Sequence, residues 1–159
     1  MYFFLKKEIK KLIVLQNPNF SLDYLSFRKA CYFKISFLHS LKKHSESLKM
    51  FEKYSINEIN DETIPTFNIK AYCLAKLSKF KEAHIIIDEI LEKIKNSDEA
   101  KANYLDSKGD FYKIESNYKK AIEFYENSLS LKKDPPWLFH KETEEKLYEC
   151  LREQKKVNK

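Results

Sequence analysis

An all-α solenoid of stacked helical hairpins is the fold this sequence predicts, on three observations. The chain holds one glycine in 159 residues, against roughly 7% in average usage. It therefore has no Asn-Gly or Asp-Gly hairpin signal and is written for helices joined by short connections. Apolar residues recur at helical spacing through most segments. Three small residues that open similar apolar runs, Ser47, Ala83 and Ala121, stand 36 and 38 residues apart. An internal period of that size means helical hairpins piled in series.

The elements follow in order along one domain, residues 1–159. Over 1–17, Phe4, Leu5, Ile9, Leu12, Ile13 and Leu15 make a broad apolar face with Lys6, Lys7, Lys10 and Lys11 largely between them. Asn17-Pro18 stops that helix, because a residue before proline is pushed out of the helical region. The first hairpin spans 21–56. Its long first helix carries Leu22, Leu25, Phe27, Cys31, Ile35, Leu38 and Leu41, and its second carries Ser47, Leu48, Phe51 and Tyr54. The polar run from Ser55 to Thr63 is a loop. Pro65 then sits in the first turn of the next helix, where a missing N–H costs nothing. The second hairpin, 64–96, places Phe67, Ala71, Leu74 and Ala75 on one helix, turns at Leu77 to Phe80, and continues with Ala83, Ile87 and Ile90. The third, 100–133, pairs Gly109 and Tyr112 with Tyr118, Ala121, Tyr125 and Ser128. Small residues at Gly109, Ala121 and Ser128 let the two helices approach closely while aromatics fill the surrounding space. After Pro135-Pro136, a helix over 137–154 uses Leu138, Phe139, Leu147, Tyr148, Cys150 and Leu151 as its apolar side. Glu142, Glu144, Glu145 and Glu149 make its other side acidic. Such a helix closes the end of a stack, and residues 155–159 are expected to fray.

The third hairpin carries the G-x2-Y pattern in Gly109 and Tyr112 and A-x3-F-type spacing in Ala121 and Tyr125, with Pro135 beyond. This resembles the tetratricopeptide (TPR) repeat, a helix-turn-helix unit of about 34 residues. The resemblance covers roughly 28–134. Leu105 stands where the family has tryptophan and Lys108 where it usually has leucine, and the proline arrives a few residues late. It implies a right-handed α-solenoid of about three hairpins, opened by an N-terminal half repeat and closed by a capping helix. It also implies a concave groove lined by the first helix of each hairpin, which holds a peptide or helix of another protein. The implied groove residues are Lys29, Tyr32, Ser36 and His39 from the first repeat. The second supplies Asn68, Tyr72 and Ala75, and the third Asn103, Asp106, Asp110 and Lys113. The set of groove residues that clamps a C-terminal carboxylate in some family members is not reproduced. The expected function is a non-enzymatic protein–protein interaction module: an adaptor, scaffold or chaperone-like binder.

Composition narrows the other classes. Without glycine-rich loops there is no phosphate cradle or dinucleotide turn. Carboxylate pairs such as Asp106/Asp110 and Glu144-Glu145 read as solvated helix faces rather than catalytic groups. His39 with His44, and His140 with Glu144, lack a third ligand at suitable spacing, so neither a metal nor another cofactor is expected. His84 falls among apolar residues and reads as a boundary histidine. Lys34, Lys70 and Lys108 precede the helix-contact positions, where their stems snorkel along the packing surface or their charges form a cationic stripe for an acidic partner.

The net charge of +6 belongs to residues 1–60, which hold 11 Lys/Arg and 5 Asp/Glu, whereas 61–159 hold 19 of each. That basic third is the alternative function. The helix within 1–16 can lie on an anionic membrane surface, or the segment can contact nucleic acid, although no recognised motif accompanies it. Cys31, Cys73 and Cys150 are odd in number and widely separated. They read as reduced, buried small hydrophobes of a cytoplasmic protein. The opening MYFFLKKEIKK puts its apolar cluster before its lysines, the reverse of a secretory signal.

Overall fold

Seven helices and no strand make up the described part of the chain, residues 24–94, 97–131 and 139–157 of a computed structural model. They are α1 (Tyr24–Ser40), α2 (His44–Lys53), α3 (Ile64–Lys76), α4 (Phe80–Lys93), α5 (Asp98–Ile114), α6 (Tyr118–Ser130) and α7 (His140–Val157). The chain divides into two compact units, 1–57 and 58–159. In the first, α1 packs against α2; in the second, α3 packs on α4, α5 on α6 and α6 on α7, with α5 touching both α4 and α3. The helix expected over 1–17 and Pro135-Pro136 lie outside the described residues.

The helix ends follow local chemistry. Pro65 lies in the first turn of α3. Ser97 accepts the Ala100 N–H at 3.1 Å to cap α5, and Asp98 and Glu99 complement its N-terminal dipole. Asn117 caps α6 through the Lys120 N–H at 3.3 Å. The turns within the three helix pairs share one geometry. Lys42, Ser78 and Ser116 adopt left-handed φ values of 59°, 61° and 62°. Each N–H bonds back three residues, to His39, Ala75 and Lys113, and the next N–H bonds back five, to Leu38, Leu74 and Tyr112. This is the Schellman closure, which satisfies the last carbonyls of a helix and usually employs glycine. Here lysine and serine fill it, 36 and 38 residues apart.

The helix expected over 137–154 runs from His140 to Val157. Its last turn is helical through Lys155 and Lys156, where both lysines complement the C-terminal dipole and Lys156 bonds Glu153 at 2.6 Å. Its apolar side also differs from expectation. Phe139 and Tyr148 are exposed, while Thr143 and Cys150 are fully buried, with Leu147 and Leu151 packed beside Cys150.

The small residues expected at helix contacts, Ser47, Ala83, Ala121 and Ser128, are fully buried. Ile87, Ile90 and Tyr125 also have zero exposure. Ser47 Oγ donates to the Ile35 carbonyl across the α1–α2 pair at 3.1 Å, and Ser128 Oγ donates to the Ala102 carbonyl across the α5–α6 pair at 2.8 Å. Gly109 has no left-handed φ; its reason is space. A Cβ there would sit 2.6 Å from Cε1 and 2.7 Å from Cδ1 of Tyr125. That ring is fully buried and tied through its hydroxyl to Asp110. For Gly109→Ala, the overpacking cost of about 1–3 kcal/mol outweighs the roughly 1 kcal/mol gained in helix propensity. Urea unfolding should show a net loss of about 1 kcal/mol or more, and a variant as stable as the parent would contradict this packing.

Candidate functional site

Asp106 and Asp110 are four residues apart, one helical turn on the same face of α5. That face meets α3 on one side and α7 on another. Tyr72 of α3 donates its hydroxyl to Asp110 Oδ2 in a very short bond, and Tyr125 of α6 donates to Asp110 Oδ1 at 2.7 Å. From α7, Thr143 Oγ1 donates to Asp106 Oδ1 at 2.7 Å, and Lys146 Nζ reaches Asp106 Oδ2 at 2.8 Å and Asp110 Oδ2 at 3.0 Å. Beside them Asn68 Nδ2 donates to Ser107 Oγ at 3.3 Å, and Ser107 donates to the Asn103 carbonyl at 3.2 Å. Lys113, one turn beyond, pairs with Glu149 at 2.6 Å.

Burial sets the electrostatics of this network. It raises the Asp106 carboxyl, and the neighbouring Asp110 charge raises it further against the pull of Lys146 and Thr143. Burial, followed by the charge and hydrogen bond of Asp110, pushes the phenols of Tyr72 and Tyr125 well above the ordinary tyrosine range. Burial alone would weaken the Lys146 ammonium, but Asp110 and Asp106 outweigh it and raise its pKa above the ordinary lysine value. Two carboxylates share one largely buried cation, and the bonds to them come from three helices, α3, α6 and α7. Lys113 lowers Glu149 below the usual carboxylate value through their hydrogen bond.

The residues singled out in the sequence distribute as follows. Asn68, Tyr72, Asn103, Asp106, Asp110 and Lys113 come together in the second unit on α3 and α5. Of these, Asp106 is buried and the other five are partly exposed, while neighbouring Ala75 is buried. Lys29, Tyr32, Ser36 and His39 lie on α1 of the first unit, where Lys29 is exposed and the other three are partly buried. The His39 ring lies 5.3 Å from that of His44. Sequence reasoning missed Thr143, Lys146 and Tyr125 as partners of the aspartates. The signal available was Thr143 and Lys146 at the helical spacing of Cys150, on a helix with few apolar residues.

A second cluster explains two further residues. His84 Nε2 meets Glu115 Oε1 at 2.5 Å, and its ring stacks on Tyr112 at 4.2 Å. Tyr112 stacks on Phe124 at 5.3 Å. Lys108 is largely buried, with its ammonium 4.5 Å from the Phe124 ring centre and paired with Asp88. Its stem is packed as the snorkelling reading expects, but its ammonium is held by Phe124 and Asp88 rather than left in water. His140 Nε2 lies 3.5 Å from Glu144 Oε1. Cys31, Cys73 and Cys150 are buried and unbridged, and burial pushes the Cys31 thiol up to about 11. No helix among the described residues is long and apolar enough to cross a membrane. No family model matches the chain, and comparison with curated proteins and with solved structures gives no match either.

Proposed function

We propose that the chain is a TPR-like, right-handed solenoid that acts as a non-enzymatic protein–protein interaction module of the cytoplasm. What supports the stacked arrangement is the spacing of the bonds between first helices. Asn68–Ser107 and Tyr72–Asp110 join α3 to α5 at separations of 39 and 38 residues. Thr143–Asp106 and Lys146–Asp110 join α7 to α5 at 37 and 36. Both sets match the length of one repeat, so α7 takes the place of a further first helix and closes the series. In the second unit, the partner surface on this reading is the partly exposed rim of the α3–α5 face, where Asn68, Asn103 and Lys113 stand beside Tyr72 and Asp110 of the network. A rigid, amphipathic rim of this kind suits an extended peptide or an amphipathic helix. The aspartates serve the scaffold rather than catalysis, because their oxygens accept from Tyr72, Tyr125, Thr143 and Lys146 and their charge is held by that lysine.

The experiment is affinity capture from source lysate with the wild type beside Asn103→Arg. This change places a long charged side chain on the rim without touching the aspartates. A partner held by the wild type and lost at least tenfold with Asn103→Arg, at unchanged melting temperature, supports the groove. Equal capture counts against it. Binding that ignores Asn103 but weakens steeply with salt points to the basic third of the chain and to nucleic acid or an anionic membrane instead.

A further inference from the structure

The face of α7 that turns away from the network has its own pattern. Thr143 and Cys150 are buried on one side. At 100° per residue, Lys141, Glu144, Glu145, Tyr148, Arg152 and Lys155 share the opposite side. Tyr148 is 64% exposed, the most exposed large apolar side chain among the described residues. With Leu151 it floors a shallow depression rimmed by Glu145, Arg152 and Lys155. Charge is ordered about this aromatic: Glu144 and Glu145 precede it, and Arg152 and Lys155 follow it.

We propose that two copies of the chain associate through this face, their α7 helices packed antiparallel about a two-fold axis passing beside Tyr148. In an antiparallel pair, residues equidistant from the axis face each other. Glu145 and Arg152 lie about 5 Å on either side of a point between Tyr148 and Glu149, from the 1.5 Å rise per residue. Glu145 of each copy then meets Arg152 of the other, and Glu144 comes within about 3 Å, along the axis, of the level of the other copy's Lys155. A parallel pairing would set like charges together, so the pattern selects one orientation. Two like-charge pairs are also equidistant from the axis, Lys141 with Lys156 and Glu144 with Glu153; both fall toward the rim, where Lys156 and Glu153 already neutralise each other at 2.6 Å. The two Tyr148 rings and the Leu151 side chains meet at the centre and supply the apolar area. An isologous contact of this kind closes on itself and stops at a dimer. One helix pair is smaller than a standard interface, so the dimer is concentration-dependent.

Sedimentation velocity on the full chain over a roughly hundredfold concentration range tests this. The wild type should pass from monomer to dimer. Arg152→Glu with Lys155→Glu should weaken association at least tenfold, as should Glu144→Lys with Glu145→Lys. The fourfold variant carrying both reversals should dimerise again, and an equimolar mixture of the two reversed proteins should form the heterodimer. All four positions are solvent-exposed, so the melting temperature stays near that of the wild type. The proposal is overturned by a wild type that remains monomeric throughout, by a dimer indifferent to both reversals, or by a fourfold variant that fails to recover association.

Discussion

Replacing Lys146 with methionine is expected to lower the stability of the second unit by about 3–5 kcal/mol at neutral pH, the usual consequence of removing one partner of a buried charge cluster. The side chain is 19% exposed, and it is the cation in contact with both Asp106 and Asp110, whose side chains are 8% and 16% exposed. Methionine retains the packed stem and removes only the charge. Two facing carboxylates then share a site with hydroxyl donors alone. The melting temperature should fall by about 10 °C or more. Acid should narrow the deficit. The folded Asp106 carboxyl already sits above its ordinary value of 3.8 through burial and the Asp110 charge, and loss of the cation raises it further. A raised carboxyl gives stability that is fully present below its unfolded value and lost as pH climbs through the folded one. The variant should therefore recover between pH 7 and 4 relative to wild type. Adding Asp106→Asn and Asp110→Asn to Lys146→Met should restore most of the loss at pH 7. A methionine variant as stable as wild type at pH 7 would contradict the bonding described for Lys146.

The second large effect is an alkaline limb. Tyr72 and Tyr125 lie above their ordinary 10.0, and Lys146 lies above its ordinary 10.5. In all three cases the folded chain keeps a proton that the unfolded chain has released. The associated stability is intact below pH 10 and is lost as pH rises through the window above it. Each such group contributes a slope approaching about 1.4 kcal/mol per pH unit, so the three together should remove about 3 kcal/mol between pH 10 and 11. Urea unfolding followed by circular dichroism at pH 9, 10 and 11 measures this. Cys31, Tyr54 and Cys150 are raised in the same direction and add to the limb, so Tyr125→Phe should remove about 1 kcal/mol of the loss between pH 10 and 11. A limb that is equally steep in that variant, or stability that is flat to pH 11, would dismiss the network as its cause.

Most of the helical architecture could be read from residue type and spacing. Pro65 marks the start of α3, and the serine and alanine positions 47, 83, 121 and 128 mark the helix contacts. These readings succeed because close packing admits only small side chains and helical period fixes which residues share a face. Gly109 belongs with them, although its necessity depends on the Tyr125 ring that lies over it. The character of α7 was less legible. Its inward side combines Thr143 and Lys146 with Leu147 and Cys150, so apolar periodicity finds the last two, passes over the first two, and adds Phe139 and Tyr148, both of which are exposed. Asp106 and Asp110 look like surface carboxylates for the same reason. Their partners are remote in sequence, and a charge satisfied inside looks identical, residue by residue, to one left in water.

The three like-built turns bear on how the chain is assembled. Each forms from hydrogen bonds reaching back only three and five residues, so the two rods of each pair register with one another with little entropy of loop closure to overcome. Asp106 and Asp110, however, leave the ribosome well before Thr143 and Lys146. During that interval the two acids must remain hydrated, and the helices around them cannot settle. Arrival of α7 supplies the missing ammonium and fixes α3, α5 and α6 of the second unit around the two acids.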